Sequence, residues 1–153
     1  MNKKGETCAT VATPRYAGAF QLSQRVDYAL ALLTALVKNS EQQQESSIQR
    51  IATDQSLSFA FLQKVAGTLR QGGYIVASRG RNGGYRIART PDKISIKELI
   101  ELFDGPVGFM PCLRTDHSCP RASMCSVRAG WRDIHEDLNR VLADKTLQSF
   151  MGN

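Results

Sequence analysis

The segment 58–88 constrains the fold more than any other part of the chain. Its first half has an amphipathic pattern that predicts a helix running to about Gln71, with Ser58 placed to cap it. A Gly-Gly pair then predicts the helix end, because glycine readily takes the left-handed conformation found there. Two runs of β-forming residues, Tyr74–Ser78 and Tyr85–Ala88, flank RGRNGG, whose Asn-Gly-Gly tip is typical of a tight hairpin.

Two further amphipathic segments precede this one. The first begins after Ser23 and is predicted to end near Lys38, and the second is short and begins after Ser47. Two helices joined by a short turn and followed by a basic hairpin indicate a winged helix-turn-helix. The predicted inward positions of the three helices are Val26, Leu30, Leu33 and Val37; Ile48, Ile51 and Ala52; and Phe61, Leu62, Val65 and Leu69.

The C-terminal half predicts two more helices around a loop. A fourth amphipathic helix carries Ile96, Leu99, Ile100 and Phe103 and is closed by Asp104-Gly105-Pro106. The final helix begins near Ser126, and its apolar positions alternate spacings of four and three, which is typical of a coiled-coil seam and favours dimerisation. The seam positions are Val127, Trp131, Ile134, Leu138 and Val141.

The fold class expected from these elements is α+β, mainly α: a winged helix-turn-helix with a long C-terminal dimerisation helix. We expect four parts along the chain. They are a flexible N-terminal tail at 1–20, a winged helix-turn-helix DNA-binding domain at 21–105, a cysteine cluster loop at 106–125 and a dimerisation helix at 126–153.

The positive charge of the chain is concentrated in one stretch. The formal net charge is +6, and the stretch between Gln55 and Pro91 holds six basic residues and no Asp or Glu. Elsewhere 14 basic residues balance the 14 acidic ones. A stretch without carboxylates that carries the whole excess favours an anionic polymer as partner over a basic surface with no partner. The six residues are Lys64, Arg70, Arg79, Arg81, Arg86 and Arg89.

The third helix and the hairpin therefore form the predicted DNA-binding surface. Gln63 can pair with adenine, and Lys64 can reach guanine or a phosphate from the polar face of the helix. The hairpin arginines suit adjacent phosphates or the minor groove. The predicted DNA-binding residues are Ser58, Gln63, Lys64, Arg70, Arg79, Arg81, Asn82 and Gly83.

Three of the four cysteines lie close together, as Cys112-x6-Cys119-x5-Cys125. Thiolates are soft donors that suit iron–sulfur clusters, zinc or copper(I). The gaps are wider than those of zinc knuckles, and the spacing alone leaves a cluster, a zinc site and a redox disulfide open. Cys8, in the predicted tail, is interpreted as incidental.

The segments LSQRVDYALALL, FLQKVAGTLRQGGYIVASRGRNGGYRIARTPDKISIKELIELFDGP and GWRDIHEDL, with the three cysteines between the last two, resemble the IscR–NsrR–RirA family of bacterial regulators. The resemblance covers about 20–150. It implies a homodimeric winged-helix regulator, usually a repressor, that binds palindromic operators in double-stranded DNA. It also implies a 2Fe–2S or 4Fe–4S cluster that senses cluster supply, iron, nitric oxide or redox state.

The resemblance also bears on a fourth cluster ligand. In the branch that senses cluster supply, a histidine lies three residues after the last cysteine, but this chain has Arg128 there. In the nitric-oxide-sensing branch, an aspartate in the first helix of the partner subunit completes the site, and the matching residue is Asp27. His117, inside the loop, is a local alternative to Asp27, and His135 is interpreted as a surface residue.

Other classes of protein remain as alternatives. The first is a winged-helix regulator with a zinc or thiol-disulfide switch in place of the cluster. The second is a redox or electron-transfer protein, although no P-loop, G-x-G-x-x-G unit or paired catalytic acid is present, so we do not expect an enzyme. No apolar run reaches the ~20 residues of a membrane span and no secretory signal is recognisable, so we expect a cytoplasmic protein without membrane contact.

Overall fold

The computed structural model describes residues 22–41, 47–78, 84–108, 110–113 and 119–151. The described chain contains six α-helices and one two-stranded sheet, with short 3₁₀ helices at Pro91–Lys93 and Pro111–Leu113. In chain order the elements are α1 (Gln24–Glu41), α2 (Ile48–Asp54), α3 (Phe59–Gln71), β1 (Ile75–Ser78), β2 (Gly84–Ile87), α4 (Ile96–Asp104), α5 (Arg128–Asp144) and α6 (Leu147–Met151).

Helix α1 lies at the centre of the fold. It contacts α2, α3, α4, α6 and β2, and its leucines at 32, 33 and 36 are completely buried. Val26 and Val37 are buried as predicted, and Leu30 is partly buried against the same core. The helix continues to Glu41, one turn beyond the predicted end near Lys38.

The caps predicted for α2 and α3 are confirmed. Ser47 Oγ accepts a hydrogen bond from the backbone N–H of Arg50, and Ser58 Oγ accepts one from Phe61. Between the two helices, the chain turns at Ser56, which has a φ of 54°. Serine at a capping position satisfies an N–H that the helix leaves unpaired, which fixes where each helix begins.

The predicted hairpin follows α3 directly. Gly73 takes a φ of 73° after the helix end, which glycine allows without steric cost. Strands β1 and β2 are antiparallel, with Ile75 opposite Ile87 and Ser78 opposite Gly84. The basic hairpin tip at 79–83, which includes the predicted DNA-binding residues Arg79, Arg81, Asn82 and Gly83, lies outside the described residues.

Helix α4 confirms its predicted inward face and also holds the start of α1. Ile96, Leu99, Ile100 and Phe103 are all buried. At the end of α4, Asp104 Oδ2 accepts a hydrogen bond of 2.8 Å from the backbone N–H of Ser23, and Asp104 Oδ1 lies 3.4 Å from Arg25 Nη2. The hydroxyl of Ser23, predicted to cap α1, has no hydrogen-bond partner among the described residues. A charged carboxylate at the positive end of the helix replaces it.

The chain after Ser126 differs from the single helix expected over 126–153. Helix α5 ends at Asp144, and Thr146 forms an antiparallel bridge with Ser95. The backbone N–H of Leu147 donates to Ile94 O at 2.8 Å, and Leu147 is completely buried. The short extended link after α5 brings Leu147 into the core, where α6 contacts α1 and the 3₁₀ helix Pro91–Lys93.

None of the helices in the described ranges is long and apolar enough to cross a membrane. The predicted tail at 1–20, which includes Cys8, lies outside the described residues, as does His117.

Candidate nucleic-acid interface and cysteine loop

Helix α3 has one buried and one exposed face. Leu62, Val65 and Leu69 are buried in the core, whereas Gln63 and Lys64 are exposed. Phe61, predicted to point inward, is partly buried against the core. The two residues proposed to read bases are therefore accessible, on the side of the helix that the core does not cover.

Tyr28 of α1 holds the beginning of α3. Its hydroxyl oxygen accepts a hydrogen bond of 3.2 Å from the backbone N–H of Ser58. Its ring packs edge-on against Phe61, with the ring centroids 4.7 Å apart. Ser58 is exposed, but its own hydroxyl already accepts from the Phe61 N–H at 3.4 Å. No local sequence pattern indicates this role of Tyr28, because its partners lie 30 or more positions away.

Part of the concentrated positive charge remains available for a ligand. Lys64, Arg70 and Arg86 are exposed and make no ion pair with another described residue. Arg86 lies on β2, on the strand face opposite to the partly buried Tyr85 and Ile87. The helix and the hairpin thus each carry at least one free cation.

Arg89 has a structural role instead. Its guanidinium lies 4.5 Å from the centroid of the Tyr74 ring, donates to Gly72 O at 3.3 Å and pairs with Glu98 of α4 at 3.6 Å. Burial, and secondarily Glu98, raises the pKa of Tyr74 above its ordinary value, while Arg89 opposes that shift. Arg89 therefore links the end of α3 and the base of the hairpin to α4.

The three clustered cysteines lie between α4 and α5. Cys112 is in the 3₁₀ helix Pro111–Leu113, and all three cysteines are half-buried with free thiols. Cys119 and Cys125 flank a run of turns, in which Cys119 O accepts a hydrogen bond of 3.0 Å from the Ala122 N–H. After this run, Cys125 O accepts one of 3.3 Å from the Arg128 N–H at the start of α5. Backbone turns, rather than core packing, set the positions of the last two thiols.

The donor set of this loop fits a soft metal centre in its chemistry. Three free thiols within 14 residues are the ligands that iron–sulfur clusters and zinc take. Among the described residues, however, no three His, Cys, Asp or Glu side chains lie close enough together to hold a metal ion. Binding would have to draw the thiols together, and such coupling of metal binding to local folding is common.

The predicted fourth ligand, Asp27, and His135, interpreted from the sequence as a surface residue, lie outside the cysteine loop. Asp27 is exposed in the first turn of α1, so it is accessible to a second subunit. His135 of α5 is half-buried, and its backbone oxygen accepts a hydrogen bond of 2.8 Å from Asn139 Nδ2.

A helix-turn-helix with one exposed face of α3, followed by a basic antiparallel hairpin, defines a winged-helix DNA-binding protein. Residues 22–153 match the sequence model of the Rrf2 family, which is described as an iron-dependent transcriptional regulator. The chain belongs to this family of transcription regulators.

Named relatives agree with this assignment. The chain is 30% identical over 137 residues to the HTH-type transcriptional regulator NsrR of Halalkalibacterium halodurans, with 87% of this chain and 91% of the relative covered. It is 26% identical over 133 residues to the HTH-type transcriptional regulator IscR of Cronobacter sakazakii, with 87% and 81% covered. A putative rrf2-like HTH-type regulator of Rhodobacter capsulatus is 28% identical over 137 residues, with 85% and 91% covered.

Two solved structures share the fold. CymR (YrzC), the global cysteine regulator of B. subtilis, superposes with a TM-score of 0.69 at 25% identity, covering 86% of this chain and 96% of that one. The oxidized form of Staphylococcus aureus CymR gives a TM-score of 0.61 at 25% identity, covering 88% and 98%. The likeness confirms the winged-helix architecture predicted from sequence.

Gln63 and Arg86 should contribute differently to DNA binding. Gln63→Ala should relax the preference at one base pair by ~1–3 kcal/mol, because a bidentate base contact is lost. Arg86→Ala should weaken all sequences about equally and flatten the log–log salt slope by ~0.9, because one phosphate contact is lost. Binding titrations on operator variants at several salt concentrations measure both effects. Gln49→Ala, on the exposed face of α2, is the matched control. An unchanged base preference in Gln63→Ala would contradict the placement of α3 against the DNA bases.

Gly67→Ala separates folding from DNA binding. A Cβ at Gly67 meets no atom within 4 Å, so alanine should raise the free energy of unfolding by about 0.5–1 kcal/mol. The same methyl group should lower operator affinity if this glycine lets the DNA backbone approach. Gly130→Ala, equally unobstructed on α5, should stabilise without changing affinity. Urea unfolding and operator titration report the two quantities, and unchanged affinity in Gly67→Ala would place DNA away from this side of α3.

Proposed function

We propose that the protein is a homodimeric repressor that binds a palindromic operator and whose affinity for DNA is set by a cysteine-ligated iron–sulfur cluster. The observation that carries this proposal is the set of three free, half-buried cysteines in the segment that joins the DNA-binding domain to α5. The description of the Rrf2 family as iron-dependent supports iron as the metal.

Cys112, Cys119 and Cys125 would hold the cluster, and Asp27 of the partner subunit would supply the fourth ligand. A bound iron–sulfur cluster supplies an inorganic centre that reacts with small oxidants and nitric oxide and exchanges electrons. A carboxylate is a harder donor than a thiolate, so the iron held by Asp27 would be the more exchangeable one. Arg128 contributes no such donor, since a guanidinium has no lone pair to give.

The surface of α5 supports the dimer. No residue of α5 is buried, and Val127, Trp131, Ile134 and Val141 are between 36% and 59% exposed. Their spacing is that of a coiled-coil seam, which a second copy of the same helix covers. Two copies would set two α3 helices at a fixed separation, as a palindromic operator requires.

A regulator with zinc or a thiol-disulfide switch is the second candidate. It is favoured by the likeness to CymR, one of whose structures is an oxidized form, and by the free thiols at 112, 119 and 125. The same three cysteines would serve either candidate, so the bound species distinguishes them.

Metal analysis tests the cluster directly. After anaerobic purification and reconstitution with Fe²⁺ and sulfide, we expect both iron and sulfide in the wild type, with visible absorption that oxygen bleaches. The triple variant Cys112→Ser, Cys119→Ser, Cys125→Ser should hold neither, whereas Cys8→Ser should resemble the wild type. Zinc at full occupancy without iron or sulfide would instead support the second candidate.

Ligation by Asp27 in trans has its own test. Asp27→Ala homodimers should hold a perturbed cluster. Heterodimers of Asp27→Ala with the triple cysteine variant should hold one normal cluster, because the site that keeps its thiols receives a wild-type Asp27. Absorption spectra and reactivity towards nitric oxide of the tagged heterodimers measure this. A cluster in the Asp27→Ala homodimer that is identical to the wild-type one would return the assignment to His117.

The dimer seam can be broken at its centre. Ile134→Glu would bury an unpaired charge between two copies of α5, at a cost of several kcal/mol. Sedimentation should therefore show monomers that bind a half-site poorly. Ala143→Glu, which is exposed and off the seam, should remain dimeric. A tight Ile134→Glu dimer would assign the interface to another surface.

A further inference from the structure

The root of the cysteine loop is fastened to the start of α1. Asp104 is the last residue of α4 and lies eight positions before Cys112. Its carboxylate accepts the Ser23 N–H at 2.8 Å and lies 3.4 Å from the Arg25 guanidinium. The Asp104 side chain is 20% exposed and that of Arg25 is 54% exposed, so solvent screens the ion pair, and the shorter hydrogen bond to the Ser23 N–H is the stronger contact. Gly105 and Pro106 join Asp104 to the loop, so a change in the loop that moves the end of α4 would also move the first turn of α1.

Tyr28, which follows the first turn of α1, contacts α3. Its neighbour Asp27 is exposed, while Tyr28 is buried, so these two consecutive residues lie on different sides of α1. Tyr28 makes two separate contacts with the start of α3: its hydroxyl accepts the Ser58 N–H at 3.2 Å, and its ring packs on Phe61. A displacement of this turn is thereby passed to the N-terminus of α3.

Gln63 and Lys64 lie close enough to that N-terminus to be affected. Helical rise places Gln63 only about 7.5 Å along the axis from Ser58. The hydrogen bond to the Ser58 N–H is directional and constrains the position of the helix N-terminus, whereas the ring contact with Phe61 is less directional. The hydroxyl of Tyr28 is thus the contact best placed to change the presentation of Gln63.

We infer that Tyr28 is a positioning residue that couples the cysteine loop to the recognition helix, through Asp104 and the first turn of α1. The inference deepens the proposed function and rests on it. Asp27 is adjacent to Tyr28 in the chain. Binding of a metal by Asp27 would therefore also affect the position of Tyr28. Two contacts define this path, Asp104 with Ser23 and Tyr28 with Ser58, and the helix α1 joins them. One substitution can alter each contact.

The test compares operator affinity of the iron- and sulfide-reconstituted dimer with that of the metal-free dimer. Tyr28→Phe removes the hydroxyl and keeps the ring. We expect the ratio of the two affinities to fall by about fivefold, the factor that one neutral hydrogen bond of ordinary strength supplies. Asp104→Asn, which keeps the shape but removes the charge, should lower the ratio in the same direction. Thr34→Val is the matched control, since the hydrogen bonds of the Thr34 hydroxyl to described residues, Leu30 O and Ala31 O, both lie within α1.

A second readout does not depend on the cluster. In the metal-free protein, hydrogen exchange at the Ser58 amide should be several-fold faster in Tyr28→Phe than in the wild type or Thr34→Val. Unchanged exchange there, together with an unchanged affinity ratio, would overturn the inference.

The possible outcomes distinguish a failure of this inference from a failure of the proposed cluster-dependent repression. A wild-type dimer that binds the operator equally with and without the cluster contradicts the proposed function, and the inference with it. If the wild-type dimer changes its operator affinity with the cluster and Tyr28→Phe shows the same change in full, the inference is wrong but the proposed function stands. Failure of Tyr28→Phe to assemble iron and sulfide would also overturn it, because the hydroxyl would then act on the cluster site rather than on α3.

Discussion

The packing of α1 against α3 is the interaction on which the rest of the structure depends. Leu32 and Leu36 of α1 and Leu62 of α3 are completely buried, so these helices share one core. Removing a buried leucine from such a core costs about 2–5 kcal/mol, a large part of the stability of a small domain. The orientation of the exposed face of α3, and hence the reading of DNA, follows from that packing.

The residues of this surface that suit phosphate contact differ from the one that suits a base edge. Lys64, Arg70 and Arg86 supply charge without opposing carboxylates nearby in sequence, which suits phosphate contact at any DNA sequence. Gln63, held at a fixed place on α3, suits a base edge. Arg89 contributes to neither in the structure, because Glu98, Gly72 O and the Tyr74 ring engage it. The six basic residues counted from the sequence therefore include one described arginine, Arg89, that is not available to bind DNA.

Local patterns were sufficient to predict the helices, their serine caps at Ser47 and Ser58, and the antiparallel hairpin, because each depends on residues a few positions apart. Contacts between distant residues were missed. Asp104 and Ser23 are 81 positions apart, and nothing in the local pattern around Ser23 indicates that a carboxylate replaces its hydroxyl. The break before Leu147 was missed for the same reason, since it depends on a bridge to Ser95. The sequence placed three cysteines in one loop, but their spacing left a cluster, a zinc site and a redox disulfide open and could not give the geometry of the thiols.

Hydrogen exchange of the amides with and without a bound operator duplex tests the central claim, that α3 and the hairpin read the DNA while α5 does not. We expect DNA to slow exchange in the first turns of α3, around Gln63, and at Arg86 on β2. We expect no slowing along the exposed seam of α5. Protection on α5 with none on α3 would show that α3 does not read the DNA.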